Sequence, residues 1–134
     1  MRYWLVKTEP DTYSWSDLEK DNRTVWDGIR NYQARKFLME MKKGDVVLVY
    51  HTGNEKAIIG TAEVIRESFP DPEDPEWLAV ELKVKKKLKK PVTLSAIKAR
   101  KKLQTMMLVR APRLSVQPVQ PEEFREVVQL SEAQ

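Results

Sequence analysis

Apolar and polar positions along this chain change period several times, and each change marks an element. Residues 3–7 alternate as a strand, ended at Glu9-Pro10 because proline supplies no amide donor. Ser14-Trp15-Ser16-Asp17 has capping-box spacing and predicts a short helix, the Ser14 hydroxyl accepting from the amide near Asp17. Asn31 is placed to cap a second helix, whose apolar Ala34, Phe37, Leu38 and Met41 recur at i, i+3, i+4 and i+7, with Gly44 as its stop. Residues 46–50 form a continuous β-prone run, too short for a buried helix, and predict a central strand. Thr52-Gly53-Asn54-Glu55 turns the chain into another strand over residues 57–66.

The proline-rich residues 69–75 read as one loop. Beyond it Leu78, Val80, Leu82 and Val84 alternate with Ala79, Glu81, Lys83 and Lys85, the period of a strand with one wet face. Residues 93–102 read as helical, 107–110 and 114–116 as short strands, and Pro121 opens a helix carrying Phe124, Val127 and Val128 on one face. There is no internal repeat or linker, and 134 residues of which 41% are hydrophobic fill a single core. Residues 1–134 are therefore expected to form one domain, an α+β fold with short strands curled into a barrel-like sheet.

Composition narrows the function classes. With no cysteine, disulfides and thiolate zinc sites are excluded. The apolar run after Met1 is too short for a signal peptide and no segment reaches membrane-spanning length, so a cytoplasmic address without membrane association is expected. The formal net charge of +4 leans only slightly toward polyanions. Its distribution is more informative: residues 83–102 hold ten Lys or Arg and no acid, whereas residues 63–81 hold seven acids and one base, Arg66. Two readings of the basic run stand side by side. Its lysines keep a strand edge solvated, or Lys86, Lys87, Lys89 and Lys90, with Arg35 and Lys36, track phosphates.

No familiar catalytic set is visible: His51 is the sole histidine, without a serine elbow, a thiolate or a metal-spaced cluster around it. Gly28, Gly44, Gly53 and Gly60 form no phosphate-binding fingerprint, so neither a nucleotide cofactor nor a metal is expected. What stands out is an aromatic-rich early part of the chain, Trp4, Tyr13, Trp15, Trp26, Tyr32, Tyr50 and His51, interleaved with Lys7, Thr8, Glu9, Asp27, Arg30 and Asn31. Such a mixture suits a flat polar ring: stacking contributes roughly 1–3 kcal/mol, and edge groups discriminate because a mismatch leaves one buried without a partner. The bland reading is that most of these aromatics fill a small core, and Trp4, inside the first strand, fits that reading best. Trp26 is expected on a loop beside the Gly28 turn, where it serves as a pocket wall.

At this point the residues resemble a family. Residues 3–10 (YWLVKTEP), residues 26–35 (WDGIRNYQAR), Gly44-Asp45, Tyr50-His51, Phe69-Pro70-Asp71-Pro72 and residues 113–119 (RLSVQPV) are similar to the motifs of the EVE domain, over nearly the whole chain. The resemblance implies the PUA-like fold shared with YTH and ASCH domains, a β pseudo-barrel with peripheral helices. It also implies a non-enzymatic module that binds DNA or RNA, single-stranded or with a flipped base, and reads a modified, cytosine-type base.

Carried over by motif, Lys7, Thr8 and Glu9 lie at the pocket edge, Trp26 stacks on the base with Trp15 nearby, and Asp27, Ile29, Arg30 and Asn31 shape the rim. His51 and Thr52 close the far wall. Arg113 and Ser115 face the pocket or a phosphate, or Arg113 supports the fold through a buried carboxylate. Lys36 and Thr52 depart from the family's common Asn and Ser, and the loop after Pro72 is short, which predicts a more open wall. Two other classes stay open: a general RNA-binding domain reading backbone and shape, with steep salt dependence, and an enzyme using Glu9 or Asp27 with Lys7 as acid and base. A monomer is assumed.

Overall fold

The computed structural model describes residues 1–133. In chain order its elements are β1 (Tyr3–Thr8), α1 (Trp15–Asp21), β2 (Arg23–Trp26), α2 (Tyr32–Glu40), β3 (Val46–His51), β4 (Ala57–Pro70), β5 (Leu78–Thr93), α3 (Leu94–Ala99), α4 (Met107–Arg110), β6 (Val116–Val119) and α5 (Pro121–Glu132), with a 3-10 turn at Lys101–Leu103. The strands make one sheet in the order β2-β5-β4-β3-β1-β6. Only β1 and β3 are parallel, in register from Tyr3 with Val46 to Thr8 with His51.

The continuous apolar run of β3 is explained by burial on both faces. Trp4 and Val6 of β1 and Val47 and Val49 of β3 pack against Trp15 and Leu18 of α1 and Ala34 and Leu38 of α2. The alternate positions Leu5, Leu48 and Tyr50 meet Ile97, Leu103, Leu108 and Val127 on the other side. β4 and β5 are long, 14 and 16 residues, and their pairing slips register at several points. Such bulges bend and twist a sheet. The sheet curls accordingly, yet β2 and β6 end its order without pairing to each other, so it stays an open pseudo-barrel.

Capping follows the sequence. Ser14 and Asp17 form the reciprocal box at α1, and the Asn31 side chain accepts from the Ala34 amide at 3.0 Å. Several expectations need correction. Residues 107–110 form the helix α4 rather than a strand, because both sides of β1 are already paired and so short a run has no decisive intrinsic preference. The last strand begins at Val116 instead of 114 and contains Pro118, tolerated because β6 is an edge. The helix expected over residues 93–102 divides into α3 and the 3-10 turn. Trp26 stands at the end of a strand, β2, and not on a loop.

Candidate nucleic-acid interface

A cavity of about 680 Å³ opens where the two ends of the sheet order approach each other. One side is the end of β1, with Lys7, Thr8 and Glu9, and Ser115 just ahead of β6; the other is β2 and its following turn, from Thr24 to Ile29. Thr12 and Tyr13 complete the lining. The volume lies within the range of small-molecule sites, roughly 300–1,000 Å³.

The lining combines an aromatic corner with a polar rim. Trp26 is 7% exposed and belongs to the core cluster, so it offers the cavity a fixed wall rather than a free-standing plate. The Tyr13 ring meets it edge-on, centroids 6.1 Å apart at 86°, and is held by its hydroxyl donating to Asp21 at 2.9 Å. Burial chiefly, helped by the Asp21 carboxylate, pushes the Tyr13 phenol above its usual pKa, so it stays neutral. The Thr8 hydroxyl donates to the Tyr13 carbonyl at 2.6 Å, tying β1 to this corner. Lys7 donates to the Pro112 carbonyl and lies 5.7 Å from the Tyr50 ring centroid. Burial lowers its pKa, because water is replaced by protein around the ammonium. Lys7 forms no ion pair with Glu9 or Asp27 among the described residues, and Glu9 is instead engaged by the Asp11 amide and the Thr52 hydroxyl.

The turn at the cavity wall is held by a residue that motif reading left out of the site. Gly28, at φ +79°, adopts a conformation that favours glycine. Its amide donates at 3.0 Å to Asp71, which is buried and also accepts from Arg30 at 3.0 Å and the Glu73 amide at 2.8 Å. Burial pushes the Asp71 carboxyl up, but the Gly28 and Glu73 amides and the Arg30 guanidinium outweigh it and hold the pKa down at about 2. The available signal was an acid between two prolines, Pro70 and Pro72; nothing local named its donors.

A profile described as the EVE domain matches residues 2–130. The chain belongs to the EVE domain family. Thymocyte nuclear protein 1 of Gallus gallus is 32% identical over 166 residues, covering 97% of this EVE chain and 69% of that protein. Protein Rpa0253 of Rhodopseudomonas palustris, solved by NMR, is 41% identical with a TM-score of 0.94, covering 98% and 94% of the two chains. The human THYN1 protein, crystallised in complex with 5-methylcytosine containing DNA, is 30% identical with a TM-score of 0.94, covering 100% and 99%. The likeness extends, as fold alone, to ASCH from Zymomonas mobilis, at 12% identity and a TM-score of 0.62 over 96% and 95% of the chains. This EVE chain therefore has the α+β, PUA-like fold.

Within this EVE domain the residues singled out from sequence separate into groups. Lys7, Thr8, Glu9, Trp26, Asp27, Ile29 and Ser115 line the one cavity, together with Thr12, Tyr13, Thr24 and Val25, which the motifs did not flag as lining. Trp15 and His51 lie in the interior. The Trp15 indole covers Gly60 so closely that a Cβ there would come within 2.4 Å of it. The Trp15 amide donates to His51 Nε2 at 2.9 Å, so the ring proton sits on Nδ1, 2.7 Å from Glu55. Thr52 closes the β1–β3 end, its amide donating to the Thr8 carbonyl at 2.9 Å and its hydroxyl to Glu9 at 3.3 Å. Arg30 donates to Asp71 through one terminal nitrogen and stays part-exposed, and Asn31 caps α2. Asn31 and Arg113 border a separate shallow groove of about 350 Å³ with Gln33 and residues 111–114. Arg113 is exposed and has no carboxylate partner among the described residues, which removes the buried-pair reading. Arg35 donates to the Glu76 carbonyl and Lys36 is exposed. Lys86, Lys87, Lys89 and Lys90 are exposed on the far half of β5. Among the described residues no cluster of His, Cys, Asp and Glu could hold a metal, and no helix is long and apolar enough to cross a membrane.

Proposed function

We propose that this EVE domain is a binding module that takes up one modified, cytosine-type base of a nucleic acid strand and performs no chemistry on it. The carrying observation is the meeting, in one cavity, of the Trp26 and Tyr13 rings with two carboxylates, four hydroxyl side chains and the Lys7 ammonium. A cytosine edge presents an amino donor beside ring acceptors. Glu9 and Asp27 suit the donor, as carboxylates do toward the cytosine amine, and Thr12, Thr24, Ser115 and Lys7 suit the acceptors. Val25 and Ile29 provide apolar contact for a ring substituent such as a methyl group. The likeness to the human THYN1 protein, crystallised with 5-methylcytosine containing DNA, supports the choice of base. Extruding a base from a duplex costs a few kcal/mol and less from a single strand, of the same order as what stacking returns.

The test is fluorescence anisotropy with labelled single- and double-stranded DNA carrying one 5-methylcytosine or cytosine, at two salt concentrations. Tighter binding of the methylated strand, weakened by Asp27→Ala, is the expected result; identical affinities for the two bases would reject base reading. The exposed lysines of β5 favour a second reading, backbone binding without base preference. Its mark is a steep salt slope with equal affinity for methylated and plain strands.

A further inference from the structure

Past the Gly28 turn stands the most exposed aromatic side chain of the described residues, Tyr32, at 70% exposure. Its ring centroid lies 4.8 Å from that of Trp77, tilted by 34°, and Trp77 is itself half-buried. The Arg30 guanidinium sits 5.8 Å from the Trp77 ring centroid. Arg35 reaches the same loop, donating through Nε to the Glu76 carbonyl at 3.1 Å; its terminal nitrogens have no protein partner among the described residues.

An exposed Tyr32 ring packed on a half-buried Trp77, with two guanidiniums against the same loop, has the composition of a stacking platform for nucleic acid: a planar face for a base, cations for the adjoining phosphate. The platform is physically continuous with the cavity. The Asp71 amide donates to the Trp77 carbonyl at 2.9 Å, while the Asp71 carboxylate receives the Gly28 amide of the cavity wall at 3.0 Å. One buried residue thus positions both surfaces. Tyr32 lies six positions after Trp26, a span of at most about 20 Å, which the Gly28 turn shortens further.

Building on the reading that the cavity holds a base, we infer that Tyr32 and Trp77 form a shelf on which the neighbouring base of the same strand stacks, Arg30 and Arg35 serving the phosphate that joins the two nucleotides. The shelf accepts any base, since every base has a π face, so it adds affinity without sequence preference. The competing account is that Tyr32 merely covers Trp77 and steadies its loop, in which case a flanking base makes no difference to it.

The experiment measures binding of the full chain to single-stranded DNA with a central 5-methylcytosine. The base on its 5′ or its 3′ side is left intact or replaced by an abasic site. The wild-type protein is expected to lose about tenfold in affinity when one particular flank is made abasic. Tyr32→Ala should lose about as much on the intact strand and almost nothing more on that abasic strand, while Tyr32→Phe keeps wild-type behaviour. Indifference of the wild-type protein to both abasic flanks overturns the shelf, and so does a Tyr32→Ala loss equally large on intact and abasic strands. The wild-type comparison requires no variant to fold. If methylation makes no difference but the Tyr32 and abasic losses still overlap, the reading of the modification falls and the shelf stands. If no strand binds, both fall.

Discussion

Asp71 shows how much one side chain can organise here. Its carboxylate closes the Gly28 turn, holds Arg30 and caps its own loop through the Glu73 amide. Because its folded pKa of about 2 lies below the unfolded value of 3.8, the charged form is favoured by folding. That contributes about 2 kcal/mol at neutral pH, complete above the unfolded value and lost as pH falls through the folded one. Asp71→Asn should therefore lower the urea-unfolding free energy by about this amount at pH 7, and the gap to wild type should close near pH 2. A constant gap across that range would show that the charge is not what matters. Gly60 is a second single-residue constraint. With the Trp15 indole within 2.4 Å of where a Cβ would sit, Gly60→Ala should cost roughly 1–3 kcal/mol of stability, read by the same unfolding assay. Neither residue's importance was legible beforehand. Asp71 draws on Gly28, 43 positions away, and Gly60 on a ring 45 positions away, and local sequence carries no record of such partners.

Elements with a local cause are legible in the sequence, and several with a purely tertiary cause are not. The α1 capping box, the Asn31 cap of α2 and the central position of β3 each rest on neighbouring residues or on a continuous apolar run. β2 was missed because only Thr24 and Val25 argue for a strand there, and it forms by pairing with β5. That pairing also moves Trp26 from a loop into a wall. The motif residues divided in the same way. Strand ends and turns around the seam reach the cavity, while Trp15, His51 and Asn31 are occupied in building it. Asn31→Ala should thus cost about 1 kcal/mol as a lost cap, measured by thermal unfolding. His51→Ala should cost about 1–3 kcal/mol by leaving the buried Trp15 amide without an acceptor.

At the scale of the whole molecule, the charge asymmetry seen in the sequence becomes a spatial one. β2 pairs with β5 so that Trp26 lies opposite Val80, and Lys86 follows six residues later, roughly 20 Å along the strand. That is more than two screening lengths at physiological salt, about 8 Å each. Replacing Lys86, Lys89 and Lys90 together by alanine should reduce the salt slope of overall binding yet change the ratio of methylated to plain affinity by less than about twofold. A collapse of that ratio would place the lysines at the base itself.

The unclosed margin of the sheet also bears on how such a domain diversifies. Thr12, Thr24 and Ser115 stand where neither face of the sheet is being filled, so exchanging them need not disturb the packing that makes the chain fold. Ligand preference and foldability are thereby carried by largely separate positions, and one scaffold is free to acquire appetites for chemically different rings while its interior stays the same.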